Sequence, residues 1–104
     1  MNDEKVISSN WITVKTFKSL WGAVKAFNEL TDNNEPWYIG LSGEEKEDYA
    51  RDLEKCCEDY CEKYVKNENA EFLLQRSDTY GRAYYSVLAD GKSYCSSPVG
   101  GGVF

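Results

Sequence analysis

Four cysteines and a dense run of carboxylates are the residues of this chain whose types and spacing could do chemistry. Cys56, Cys57 and Cys61 fall within six positions, and Cys95 follows downstream. Cys57 and Cys61 stand one helical turn apart, a spacing at which two thiolates can share a zinc ion. The paired Cys-x2-Cys knuckles of a structural zinc site are missing, however, and the chain contains no histidine to complete a ligand set. Packing is the competing explanation, because free cysteine behaves as a small hydrophobe and is often buried. The thiols are therefore expected to be reduced and metal-free, with no cofactor. A small thiol or metal protein using Cys56, Cys57 and Cys61 is the alternative.

Catalysis finds little else to build on. Without histidine the commonest general base near neutral pH is gone. Ser96 and Ser97 have no identifiable activating base. No GxxxxGK phosphate loop exists, and Gly100-Gly101-Gly102 has no helix after it. The chain is not expected to be an enzyme.

The carboxylates are more informative. Glu44, Glu45, Glu47, Asp48, Asp52, Glu54, Glu58, Asp59 and Glu62 share one segment with only Lys46, Arg51 and Lys55, which leaves six negative charges there, the whole formal net charge of −6. A neutral body bearing one acidic segment has a directional field, suited to steering a basic partner. The segment would span about 28 Å as a helix, roughly one carboxylate per 3 Å. That is half the charge density of a DNA duplex and close to that of a single strand. The bland reading is a solvated face that keeps the domain soluble.

These groups must be positioned by elements the pattern also predicts. Ser42-Gly43-Glu44-Glu45 is a capping box, and the helix it opens is expected to run to about Lys66. On that helix Tyr49, Leu53, Cys56, Cys57, Tyr60, Cys61 and Tyr64 gather on an arc of about 140°. This arc should face the core with Leu53 near its centre, and the acids should face water. Upstream, Trp11 to Thr16 reads as a strand that begins as early as Lys5. Phe17, Leu20, Trp21, Val24, Phe27 and Leu30 then predict an amphipathic helix over 17–31 with Thr16 as N-cap and Gly22 as a weak point or a close contact. Trp37 to Leu41 reads as an edge strand or a buried loop.

Three strands are predicted downstream: Phe72–Arg76, Arg82–Leu88 and Ser93–Ser96. Asp90-Gly91 marks a type I′ hairpin, Ser77 to Gly81 a looser turn, and the chain should end in a flexible tail from about Pro98. The expected fold is α+β: a single domain over 1–104 with a four-stranded, largely antiparallel sheet and two helices, in the order β-α-(β)-α-β-β-β. Adjacent Tyr84 and Tyr85 should point to opposite faces of the sheet, one into the core and one outward beside Arg76, Tyr80 and Arg82.

With hydrophobic residues at 41% the chain is not disordered by composition. Its pI of about 4.6 argues against direct nucleic-acid binding through phosphates. No apolar run is long enough for a membrane span and no signal peptide is visible, so a cytoplasmic protein is expected. These features describe a non-enzymatic inhibitor or modulator that binds a basic protein, in particular a nucleic-acid-processing enzyme. Anti-restriction, anti-CRISPR and toxin-immunity proteins share this composition, an analogy that rests on no motif. The expected partner-binding residues are Glu44, Glu47, Asp48, Glu58, Asp59 and Glu62 on the helix, with Tyr84 and Tyr85 on the sheet. The third reading is an assembly subunit that forms a homodimer through the same aromatic surface.

Overall fold

The computed structural model describes residues 11–78 and 83–98. Their order is β1 (Ile12–Phe17), α1 (Leu20–Leu30), a 3₁₀ turn (Asp32–Asn34), α2 (Pro36–Ile39), α3 (Gly43–Tyr64), β2 (Phe72–Ser77), β3 (Tyr84–Ala89) and β4 (Lys92–Pro98). The strands pair in the order β1-β2-β3-β4, each neighbour antiparallel, so the fold is α+β as the pattern predicts.

Local chemistry explains most boundaries. Asp90 and Gly91 both adopt positive φ, 52° and 84°, which is what a two-residue primed turn requires between β3 and β4. Ser42 and Glu45 cap α3 reciprocally: the Ser42 hydroxyl accepts from Glu45 N–H at 3.1 Å, and the Glu45 carboxylate accepts from Ser42 N–H at 2.9 Å. The helix ends at Tyr64.

Thr16 is not the cap of α1. Pairing with β2 carries the extended chain through Phe17, whose partner is Phe72, so the cap falls to Ser19. Its hydroxyl accepts from Gly22 N–H at 3.0 Å. Gly22 is a close contact rather than a defect, since a Cβ there would lie 3.3 Å from the Phe17 ring.

Trp37 to Leu41 is neither edge strand nor buried loop. Pro36 occupies the first helical position, where its fixed φ favours helix, and Pro36–Ile39 forms a single turn. The bracketed strand of the predicted order is therefore a helix. The chain stays extended through Pro98 in β4 instead of loosening there. The expected start near Lys5, the turn at 79–82 and the rest of the tail lie outside the described residues.

The core forms between α1 and one face of the sheet. Leu20, Val24 and Phe27 pack toward Phe72, Leu74, Tyr85, Val87 and Ala89, which the register places on a single face. On α3 only Cys57 is fully buried. Tyr49, Leu53, Tyr60 and Cys61 are half-buried, and Cys56 and Tyr64 are exposed, so the predicted inward arc narrows to a seam centred on Cys57 rather than Leu53. The reason is length. At 1.5 Å per residue α3 runs about 33 Å and α1 about 17 Å, so one cannot cover the other.

Tyr94 is the extra residue of a β-bulge opposite Val87 and Leu88. The bulge breaks the strict alternation of β4, and both Tyr94 and Cys95 pack against the core. Tyr94 meets Tyr60 of α3 edge-on at 4.8 Å, which ties the helix to the far strand.

Leu20 is 2% exposed and fills the centre of the core. Leu20→Ala should therefore cost ~2–5 kcal/mol. Leu53→Ala, at a half-buried site, should cost only about 1 kcal/mol. Urea unfolding of both variants checks this ranking, and a larger loss for Leu53 would contradict the packing.

Candidate functional site

α3 presents all nine of its carboxylates to solvent. At 100° per residue Glu44, Glu47, Asp48, Glu58, Asp59 and Glu62 fall within an arc of about 120° opposite Cys57. They do not form an even row. Arg51 and Lys55 lie in the same arc, between Asp48 and Glu58, and divide the stripe into two acidic triads. Asp48 and Glu58 stand about 15 Å apart along the axis.

The triads differ electrostatically. In the first, Asp48 accepts from Arg51 in an ion pair. In the second, Glu58, Asp59 and Glu62 form no ion pair among the described residues. The acid of the sequence is thus two patches with a basic waist, and the second patch has no ion pair among the described residues.

The aromatic residues beside this helix are not those expected. Tyr85 is 7% exposed and belongs to the core face, so it cannot serve as a partner-binding residue. Its hydroxyl accepts from Arg76 Nη1 at 3.1 Å and its ring lies 5.6 Å beneath the guanidinium. Arg76 also donates to Asp78 at 3.3 and 3.2 Å, so this arginine is engaged. Tyr84 is half-buried on the other face, and Tyr80 and Arg82 lie outside the described residues.

A different cluster flanks the first acidic triad. Trp37, Tyr38 and Tyr49 meet edge-on, with centroids 5.4 to 5.9 Å apart. Trp37 is 50% and Ile39 61% exposed, so an apolar surface adjoins the acids. Lys46 Nζ sits 5.2 Å from the Tyr38 ring. Burial, with the nearby charge of Asp32, pushes the Tyr49 hydroxyl up from its ordinary pKa. The sequence carries a signal for this cluster in Pro36 directly before Trp37-Tyr38, where an N1 proline starts a turn rather than a strand.

The thiols do not converge on a metal. Cys57 is buried, Cys61 and Cys95 are half-buried, and Cys56 is exposed. No three Cys, Asp or Glu side chains among the described residues are placed to hold an ion. Burial raises the Cys57 pKa to about 11, although the neighbouring Tyr94 hydroxyl offsets part of the rise. Burial, then the Cys57 charge, raises Cys95 to about 12. A thiol that resists ionisation is a poor nucleophile and a poor ligand.

Two consequences can be measured. At pH 8 a chromogenic thiol reagent should label Cys56 rapidly and Cys57 only as the protein opens; equal rates would contradict the burial of Cys57. Since Cys57 and Cys95 both ionise less readily folded than unfolded, their contribution to stability is complete below pH 9.0 and declines as pH rises toward 11. The urea midpoint should fall across that interval.

Compared with protein-family models, curated protein sequences and solved structures, the chain matches none.

Proposed function

We propose that this protein is a non-enzymatic binding protein whose acidic helix engages a basic protein partner in the cytoplasm. The partner class it suits best is a nucleic-acid-processing enzyme, which it would inhibit or modulate. One observation carries this reading: Glu58, Asp59 and Glu62 are exposed and without an ion pair among the described residues, on a helix held to the fold by its opposite side. Lys63 and Lys66 stand four residues beyond Asp59 and Glu62, yet neither forms an ion pair with them, and Lys66 donates instead to the Glu62 backbone carbonyl at 2.9 Å. The exposed Trp37 and Ile39 add the apolar contact that charge alone does not supply. Suppressed thiol ionisation and the lack of histidine support a role outside catalysis. No helix among the described residues is long and apolar enough to cross a membrane.

A second reading rests on β1. It is an edge strand that exposes Ile12 at 67% and Val14 at 53%, a surface that pairs readily with another strand. Self-association through that edge would make the protein an assembly subunit. A solution mass that doubles with concentration, and stays monomeric in Val14→Lys, would favour it.

The electrostatic reading is tested by replacing Glu58, Asp59 and Glu62 together with Gln. These positions are exposed and Gln is nearly as good a helix former as Glu, so the fold should hold. A partner captured by the wild type at low salt should associate more slowly with the triple variant, and its binding should depend less on ionic strength. Unchanged affinity and salt dependence would reduce the acidic face to a solubilising one.

A further inference from the structure

Between α1 and the first half of α3 lies a cleft of about 180 Å³. Trp21, Asn28 and Glu29 line it from α1, Tyr38 from α2, and Tyr49 and Leu53 from α3. Its size is close to the roughly 150 Å³ that encloses a benzene ring, so it admits one ring-sized or guanidinium-sized group.

The floor offers a carboxamide. Asn28 is 7% exposed, and its side-chain amide has no hydrogen-bond partner among the described residues. Its backbone carbonyl is satisfied, accepting from Thr31 N–H at 3.1 Å. A carboxamide offers two donors and an oxygen with two lone pairs, and because no side-chain polar atom among the described residues is both buried and unpaired, these groups meet water in the cleft and are open to a ligand. By contrast Thr31, wholly buried one turn away, donates to the Phe27 carbonyl at 2.8 Å.

We propose that this cleft binds a single guanidinium group, the head of an arginine side chain on the basic partner. The Trp21 and Tyr49 rings line the cleft, and an aromatic ring can hold a cation. Asn28 Oδ1 and the Glu29 carboxylate provide acceptors from one helix stripe. A planar fork can stack and donate in its own plane at once, which an ammonium cannot. The cluster already holds one cation, with Lys46 against Tyr38.

Charge around the mouth agrees. Glu29 is exposed and lines the cleft. Lys25, also at the rim, is exposed and forms no ion pair with Glu29 among the described residues, which leaves that carboxylate available. An anionic ligand would instead meet the Glu29 carboxylate.

This inference rests on the partner being basic, but it is tested without the partner. The probes are N-acetyl-arginine methylamide and its lysine and leucine counterparts, titrated into the full chain and followed by NMR. The arginine probe should give saturable shifts at the Asn28 side-chain amide and the Trp21 indole, with lysine weaker and leucine silent there. Asn28→Leu should weaken arginine binding ~10-fold or more, the usual scale for losing hydrogen bonds to a charged group. Should that variant fail to fold, Glu29→Gln at an exposed site should show a loss in the same direction. The Gln triple variant at Glu58, Asp59 and Glu62 should bind the probe within about 2-fold of wild type, because those exposed carboxylates do not line the cleft. Equal responses to all three probes, or undiminished binding in both cleft variants, would overturn the proposal. A cleft that binds arginine while the triple variant keeps its partner would sink the acidic face alone.

Discussion

A 22-residue helix carrying nine carboxylates is joined to this fold through one fully buried side chain, Cys57. Everything distinctive about the molecule follows from how narrow that seam is. A helix so charged has few apolar positions to offer, and only a small residue lets its backbone approach α1 and the sheet closely. Cysteine meets both needs: it is apolar when protonated and smaller than leucine. The cost appears in its ionisation, since the same burial that holds the helix keeps the thiol neutral to about pH 11.

A narrow seam leaves space on either side. Trp21 stands at its centre and borders two clefts, one toward Tyr49 and one toward Cys61 and Glu58. A wider apolar face would have closed both. The long acidic helix therefore does two things by the same geometry: it leaves its outer face free, and it keeps its inner flanks incompletely packed against α1. Tyr94, turned inward by the β4 bulge to meet Tyr60, braces the second half of the helix against the far strand.

Which of these features were legible follows from the range of the interactions that create them. The capping box at Ser42, the Asp90-Gly91 turn and the strands β2 to β4 are local, and their residues announce them within four positions. The start of α1 was not legible. Thr16 and Ser19 are both competent caps, and the choice between them is made by a register with Phe72, fifty-five residues away in the chain. Tyr84 and Tyr85 are correctly set on opposite faces by alternation, but alternation does not say that the buried one would hold Arg76. The acidic stripe was legible as composition, whereas its division by Arg51 and Lys55 needs the helical phase. The Asn28 cleft was the least visible, because Asn28, Tyr38 and Tyr49 meet only once the turn at Pro36 folds back.

The two surfaces divide the labour of association between distance and contact. Beyond about a Debye length, roughly 8 Å at physiological salt, a partner senses little of the stripe, and within it the second triad, without an ion pair among the described residues, dominates. Such charges raise the rate of encounter but contribute little to holding a complex, since exposed pairs are worth at most about 1 kcal/mol. Persistence requires desolvated groups in a shaped site. The proposed guanidinium cleft has that character, and it lies beside the weaker, Arg51-compensated triad rather than the stronger one. Attraction and anchorage are thus placed at opposite ends of α3, and a partner satisfying both must present basic groups spaced along most of its length. A small basic ligand can use either end. Only an extended surface can use the two together, and that requirement, more than net charge, is what would let an acidic domain of 104 residues distinguish one basic protein from the many others it meets.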